Sequence, residues 1–269
     1  VAKEISQYDN QYIGYSFNFL SILWRIVRNP LSLVRRLRHY RCVDHQSFAR
    51  LLFYEDNIAR AINALNPDII HVNSIKNMSS TYFALDGKDI PILLTCHGVF
   101  FKGDKDDIIG RDIYMGNLGF AKAYTGLTHE SLDEYEKYLG IPREKVDIIP
   151  NGVDCKKFYF SSEERLLIRK QFGVAESCKV FITVASVQER KGQLEFIKLL
   201  EKLDLDFQYW IVGKGPDEDF INKYIKEHNL LGKIKMFGYC DSKQLYKYYS
   251  AADVYVHSSW KEGQALSEL

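Results

Sequence analysis

The feature that most constrains this chain is an alternation. Short apolar runs of about four to eight residues are each followed by a segment whose apolar positions recur at helical spacing. In the second half, residues 180–187, 207–212, 234–237 and 254–257 read as strands. Helices at 193–203, 218–229 and 245–251 separate them, the last capped by Asp241 with Gln244 at the box position, and a further helix opens at Gly263. Repetition of this kind calls for an α/β fold with parallel sheets, because parallel neighbours need a crossover and a helix supplies it.

The first half follows the same plan less cleanly. A helical period covers 47–65, strands are expected at 68–72, 90–96, 124–128 and 146–149, and a helix at 131–139. A polar stretch at 102–112 reads as a loop. Pro150-Asn151-Gly152 reads as a turn, and a charged helix at 162–172 follows it. That seam divides the chain into two domains, 1–152 and 153–269.

Composition narrows the function classes. With 46% hydrophobic residues, 18 tyrosines and 16 phenylalanines among 269 residues, the chain has ample surface to bury and is not a disordered one. No run of about 18 apolar residues exists to span a bilayer. A net charge of +1 gives no global basic footprint for nucleic acid. Cys42, Cys96, Cys155, Cys178 and Cys240 are odd in number and scattered, which fits a reducing compartment. Neither H-E-x-x-H nor G-x-S-x-G occurs, and Asp104, Asp106 and Asp107 lack the spacing of a calcium loop. Charge is uneven locally, however. Arg25, Arg28, Arg35, Arg36, Arg38 and Arg41 fall in an acid-free stretch with Trp24 and other apolar residues, broken at Asn29-Pro30. Two readings stay open: a pair of helices packing one face on the protein, or a basic amphipathic surface for anionic lipid.

In open α/β sheets ligands bind beyond the carboxyl ends of the strands, so the residues just after each strand carry the chemistry. Gly213 and Gly215 end one strand, where missing side chains let backbone approach a ligand or simply make a tight turn. Arg190 and Lys191 end another and can meet a diphosphate, or be two solvated cations. Glu262 and Gly263 follow a third. The amides of Gln264, Ala265 and Leu266 would be the first free donors of the helix expected there. His97 ends a strand of the first half, as a polar ligand or as a structural residue. His71 and His257 lie within strands and read as satisfied core histidines.

The order of these turns is more specific than any one of them. PDIIHVNS, ILLTCHG, GIPREKVDIIPNGVD, VASVQERKGQ, WIVGKGPDEDF and IKMFGYCDSKQLYKYYSAADVYVHSSWKEGQALSEL together resemble the retaining glycosyltransferases of family 4, over residues 66–269. The resemblance implies the GT-B fold, two Rossmann-like domains facing a cleft, the first for the acceptor and the second for the nucleotide sugar. It implies transfer from a nucleoside-diphosphate sugar to a glycan or lipid-linked acceptor with retention of configuration, with no obligatory metal and no permanently bound cofactor. Fixed cations and helix ends would stabilise the leaving diphosphate instead. Lys191 would neutralise the diphosphate, Gly213 and Gly215 would lie against the nucleotide, and Glu262 would contact the donor sugar. The amides of Gly263, Gln264, Ala265 and Leu266 would hold donor oxygens. His97 would approach the sugar from the other domain, and Asn151-Gly152 would sit at the crossover. A cytoplasmic protein, peripheral at an anionic membrane surface through its arginine-rich stretch, follows as the expected setting.

Three departures qualify this. Ala185-Ser186 stands where the family has Gly-Arg, so an arginine is missing and Arg190 is the candidate replacement. The family's second glutamate should fall eight residues after Glu262, one position past Leu269; Glu268 is at the wrong spacing. The family's first strand and glycine-rich loop should precede Val1, so the chain is read as a fragment at both ends. The alternatives are a nucleotide-sugar epimerase or phosphorylase on the same fold, and a non-catalytic binding or scaffolding subunit, which the loss of arginine at Ser186 favours.

Overall fold

The computed structural model describes residues 16–28, 34, 36–38, 48–97, 119–260 and 262–269. The chain divides into two compact units, Val1–Pro150 and Asn151–Leu269, with the break two residues before the seam expected from the sequence.

The first unit holds four parallel strands, β1 (Ile70–Val72), β2 (Ile92–Thr95), β3 (Ala123–Gly126) and β4 (Val146–Ile148), in sequential order. Leu94, Ile92 and Val72 are buried against Met78, Tyr135 and Leu139, forming one core. Between β1 and β2 lies a helix, Met78–Ala84, that hydrophobic periodicity misses. Its buried face includes Ser79, Ser80 and Thr81, small polar residues that carry no apolar stripe. After β3, Thr128 caps the His129–Glu134 helix by accepting from the Ser131 amide. The chain then widens into a π turn, Tyr135–Leu139, and Gly140 closes it at φ 65°. The expected strand at 124–128 thus ends two residues early, because Thr128 is used as a cap.

The arginine-rich stretch falls partly within the described residues. The helix Phe19–Arg28 packs on the helix Phe48–Leu65 with Ser21, Ile22, Arg25 and Ile26 half-buried. Ser21 donates to Asp56, and Arg25 Nη2 lies 2.8 Å from Glu55 Oε1. Arg36 Nε is 3.1 Å from the same oxygen, and Glu55 and Asp56 are both 1% exposed. Arg25 and Arg36 are therefore interior partners of a buried carboxylate, not members of a solvated basic face. Arg28 and Arg38 are exposed, as are Phe17, Leu20, Trp24 and Val27. Arg35, Arg41, the Asn29-Pro30 break, Gly98 and the 102–112 loop with Asp104, Asp106 and Asp107 lie outside the described residues.

The second unit is built on β5 (Lys179–Val184), β6 (Phe207–Val212), β7 (Ile234–Gly238) and β8 (Val254–Tyr255), all parallel, in the order β7-β6-β5-β8. Helices Ser162–Gln171, Gln193–Leu200, Glu218–Glu227 and Ser242–Ala251 complete it. Strand alternation feeds two cores, one on each face. From β6, Phe207, Tyr209 and Ile211 enter the first, and Trp210 and Val212 the second. Full burial of each such side chain contributes about 1.5–3 kcal/mol, so this central strand anchors both layers.

Several expected boundaries are corrected. Strand β5 stops at Val184 rather than 187, and the helix expected at 245 starts at Ser242, where Asp241 accepts from the Lys243 amide. No turn forms at Pro150-Asn151-Gly152. The Asn151 amide donates to Gln264 Oε1 at 2.7 Å, and the turn falls at 155–157, closed on Asp154. No helix opens at Gly263 either. Residues 266–268 make a single turn, with the Glu268 amide on the Ala265 carbonyl at 3.1 Å. Helix nucleation fixes several residues for its first bond, and seven residues here yield one such bond.

Candidate active site at the reversal of the second sheet

The chain leaves β5 on one side for β6 and β7 and returns on the other side for β8. Strand order reverses at β5, and ligands of open α/β sheets lie outside the carboxyl ends of the strands at such a point. The segments following β5 and β8 meet there. After β5, Glu189–Lys191 makes a single 3-10 turn, and Gly192 turns the chain at φ 67° into the next helix. A Cβ on Gly192 would stand 2.3 Å from the Ser258 carbonyl oxygen, so only glycine permits this approach to the exit of β8. The Ser258 hydroxyl donates to the Lys191 carbonyl at 2.9 Å, and the Trp260 amide donates to that of Arg190 at 3.0 Å.

These main-chain ties bring two cations to one carboxylate. Lys191 Nζ donates to Glu262 Oε1, and Arg190 Nη1 reaches the same oxygen at 3.1 Å. Burial pushes the Glu262 carboxyl up, but hydrogen bonds from Lys191 and Ser259, with the charges of Lys191 and Arg190, outweigh it and hold the group below its usual range. The side chain of Lys191 is 11% exposed and that of Arg190 39%, so the lysine is the better shielded cation.

Gly213 and Gly215 close the neighbouring turn for a different reason from a ligand's approach. A Cβ on Gly213, at φ 143°, would lie 1.9 Å from the Ala185 carbonyl oxygen, and one on Gly215 would lie 2.0 Å from that of Val187. The exits of β5 and β6 pack backbone to backbone, and this contact demands the glycines. The Gly215 amide is taken by Glu218 Oε1 at 2.6 Å.

Asn151 and Gln264 are brought together, as described, with Gly152 beside them. Of the expected helix-start donors, Ala265 is buried and Leu266 exposed, and both sit on the turn. Ser186, where the family's arginine would stand, accepts from Gln188 Nε2 on its hydroxyl at 2.7 Å. Gln193 is 1% exposed and donates to the Ser186 carbonyl at 3.0 Å. Sequence reasoning places Ser258 and Ser259 in the strand-end segment but gives them no role, and it misses Gln193, since a serine pair and a helix-start glutamine carry no pattern.

His97 belongs to the first unit, exposed in the bend after β2. Neither His71 nor His257 is a satisfied core residue. His71 is exposed, with Nε2 2.7 Å from Thr95 Oγ1. His257 Nδ1 lies 3.3 Å from Tyr255 Oη and from Glu268, while its buried Nε2 has no hydrogen-bond partner among the described residues.

Comparison with known proteins places the chain. The model of Glycosyltransferase Family 4 matches residues 18–157, more than half of the chain, and that of Glycosyl transferases group 1 matches 164–269. Alpha-monoglucosyldiacylglycerol synthase of Acholeplasma laidlawii is 22% identical over 238 residues, 81% of this chain and 59% of that protein. The UDP-Gal:alpha-D-GlcNAc-diphosphoundecaprenol alpha-1,3-galactosyltransferase of Escherichia coli is 27% identical over 212 residues, 75% of this chain and 54% of that one. The chain thus spans less than two thirds of these relatives. Among solved structures, sucrose-phosphate synthase of Thermosynechococcus elongatus superposes with a TM-score of 0.70 at 19% identity, covering 82% of this chain and 57% of that one. HepE of Anabaena in complex with UDP and glucose gives 0.66 at 19%, covering 77% and 57%. The architecture is that of the GT-B fold, and the chain belongs to Glycosyltransferase Family 4.

Proposed function

We propose that the protein transfers a sugar from a nucleoside-diphosphate donor to a glycan or lipid-linked acceptor with retention of configuration. The observation that carries this reading is the meeting of Lys191, Arg190 and Glu262 at the reversal of the second sheet. When the bond from the anomeric carbon to the diphosphate oxygen breaks, charge develops on the leaving oxygen. Two fixed cations beside that oxygen lower the barrier without reorganisation. Glu262 holds both cations in place and, by the family resemblance, meets the donor sugar. His97, on the acceptor-side unit, faces the sugar in the same reading. Arg190 takes the part of the arginine missing at Ser186: it shares Lys191's partner, which weighs against a degenerate scaffolding subunit.

The test is a thermal-shift titration with UDP, GDP, ADP and CDP, followed by donor turnover. One diphosphate is expected to raise the melting temperature, by linkage worth about 2.7 kcal/mol at a hundred times its Kd. Lys191→Ala should abolish the shift and cut kcat/KM by roughly 10²–10³, and Arg190→Ala by about tenfold. A protein that none of the four nucleotides stabilises is not a transferase of this kind. Binding without turnover would leave the scaffold reading standing.

A second reading concerns where the acceptor is met. The Phe19–Arg28 helix turns Ser21, Ile22, Arg25 and Ile26 to the protein and keeps Leu20, Trp24 and Val27 outside, with Arg28 stacked 4.8 Å over the Trp24 ring. Among the described residues no helix is long and apolar enough to cross a membrane. We infer peripheral contact with an anionic membrane surface through this face, with Arg28 and Arg38 supplying the charge.

A further inference from the structure

The turn that follows β3 reaches back to the strand carrying His97. Tyr135 is 1% exposed, and its ring lies over Gly126, where a Cβ would come within 3.3 Å of it. Its hydroxyl accepts from the Cys96 amide at 2.9 Å and donates to the Thr125 carbonyl at 2.6 Å. Burial pushes the phenol far above its ordinary range, so it stays protonated and keeps both roles. The direct bond across the same gap, from the Cys96 amide to the Thr125 carbonyl, is long at 3.4 Å. The hydroxyl therefore bridges the two strands at the residue before His97, where the ladder itself is loosening. Side chains finish the clamp below it: His71 Nε2 to Thr95 Oγ1 at 2.7 Å, and Thr95 Oγ1 to Thr125 Oγ1 at 2.5 Å. Burial likewise pushes the Cys96 thiol up to about 11, so it is a neutral filler and not a nucleophile.

We propose that Tyr135 is a positioning residue for the reaction: by bridging Cys96 and Thr125 it sets the exit of the chain from β2 and so the aim of His97. The inference rests on the role given to His97 above. A phenol is suited to this, since one buried hydroxyl supplies a donor and an acceptor on a rigid two-torsion arm. Replacement by phenylalanine removes the bridge and keeps the ring.

The experiment is a double-mutant cycle in the intact protein, with Tyr135→Phe, His97→Ala and the pair, read as kcat, donor Kd and melting temperature. Tyr135→Phe is expected to lower kcat roughly ten- to a hundredfold, the cost of a misplaced reacting group. Donor Kd should be unchanged, because the diphosphate cations belong to the second unit. In the His97→Ala background the same change should add nothing further, as for residues acting as one unit. Leu139→Ala, a buried change on the same turn without a bond to Cys96, should lower the melting temperature and leave kcat alone. The inference is overturned if Tyr135→Phe leaves kcat intact, if its effect persists without His97, or if Leu139→Ala lowers kcat equally. A His97→Ala protein with undiminished kcat overturns the role of His97 as well, which separates the two failures.

Discussion

Among the described residues each of the two sheets has four strands, all parallel, yet they prepare their strand ends in opposite ways. In the first unit the order is sequential, and the ends of β1, β2 and β3 are tied by a histidine and three hydroxyls: His71, Thr95, Thr125 and Tyr135. In the second the order reverses at β5, and the ends are brought together by glycines and held by charge, with Lys191 and Arg190 on Glu262. Hydroxyl bridges between strands fix geometry by direction and distance. A charged cluster at a reversal offers a field to an anionic ligand. On the proposed function, the difference would suit one unit to aim a side chain and the other to grip a diphosphate.

The largest effect expected from breaking this comparison lies in the frame of the second sheet. Arg169, 6% exposed, donates to the carbonyls of Ala251, Ala175 and Cys178 at 3.1, 2.9 and 2.6 Å and pairs with Asp253. Asp253 also accepts from the Val180 amide at 2.8 Å, so the network sews the Ser162–Gln171 helix to β5 and the start of β8. Arg169→Leu strands those carbonyls and should cost about 3–5 kcal/mol in urea unfolding. The pH dependence follows in sign. Burial pushes the Asp253 carboxyl up, but the Val180 amide, Arg165 and Arg169 outweigh it and hold it below its ordinary range. Its contribution is then complete above the unfolded carboxylate range near pH 4 and fades as pH falls through the lower folded value. An Asp253→Asn variant should accordingly converge on the parent as the pH is lowered, and a gap that stayed constant would deny the charge its part.

Next in size is the glycine approach. Gly213→Ala puts a methyl onto the Ala185 carbonyl in a backbone region that favours glycine, and should cost about 2–3 kcal/mol. Gly232→Ala, where a Cβ meets nothing within 4 Å, should stay within about 0.5 kcal/mol. Equal melting temperatures for the two variants would mean that the exits of β5 and β6 do not pack as described.

The same contrast explains what the sequence disclosed. The second sheet was legible because its devices are residue types with strong local meaning. Gly213, Gly215, Lys191 and Glu262 stand at strand ends, and β6 was placed to the residue by an apolar run broken only at Gln208. The hydroxyl clamp was not legible. His71, Thr95 and Thr125 are ordinary strand residues, and Tyr135 reads as one more apolar position of a helix. Their meaning arises only when three strands are laid in register, His71 against Leu93 and Thr95 against Thr125. The helix expected at Gly263 failed for a local reason, one closing bond where several are needed. The basic stretch was left open between two readings because charge counting cannot see Glu55, which draws Arg25 and Arg36 inward.

The smallest effects on stability separate the outer faces of the two units. Leu20 in the first is 75% exposed, and Leu166 in the second 71%. Neither packs on a core, so serine at either position should shift the melting temperature by less than about 1 °C, within ordinary surface variation. Only Leu20 stands beside Trp24 and an arginine on the outward side of its helix. Leu166 lies on a helix that opens with Glu163 and Glu164. Leu20→Ser should therefore weaken binding to vesicles of phosphatidylglycerol by about tenfold at low salt, the scale of one lost apolar side chain at an interface. Leu166→Ser should leave it unchanged. Raising the salt should release the parent, since Arg28 and Arg38 act through a screened attraction. Equal binding by both variants would show that the outward stripe is not the docking face. The orientation of the helix would then have to be explained by Glu55 and Asp56 alone, which bury their charges by drawing in Ser21 and Arg25 whatever that leaves outside.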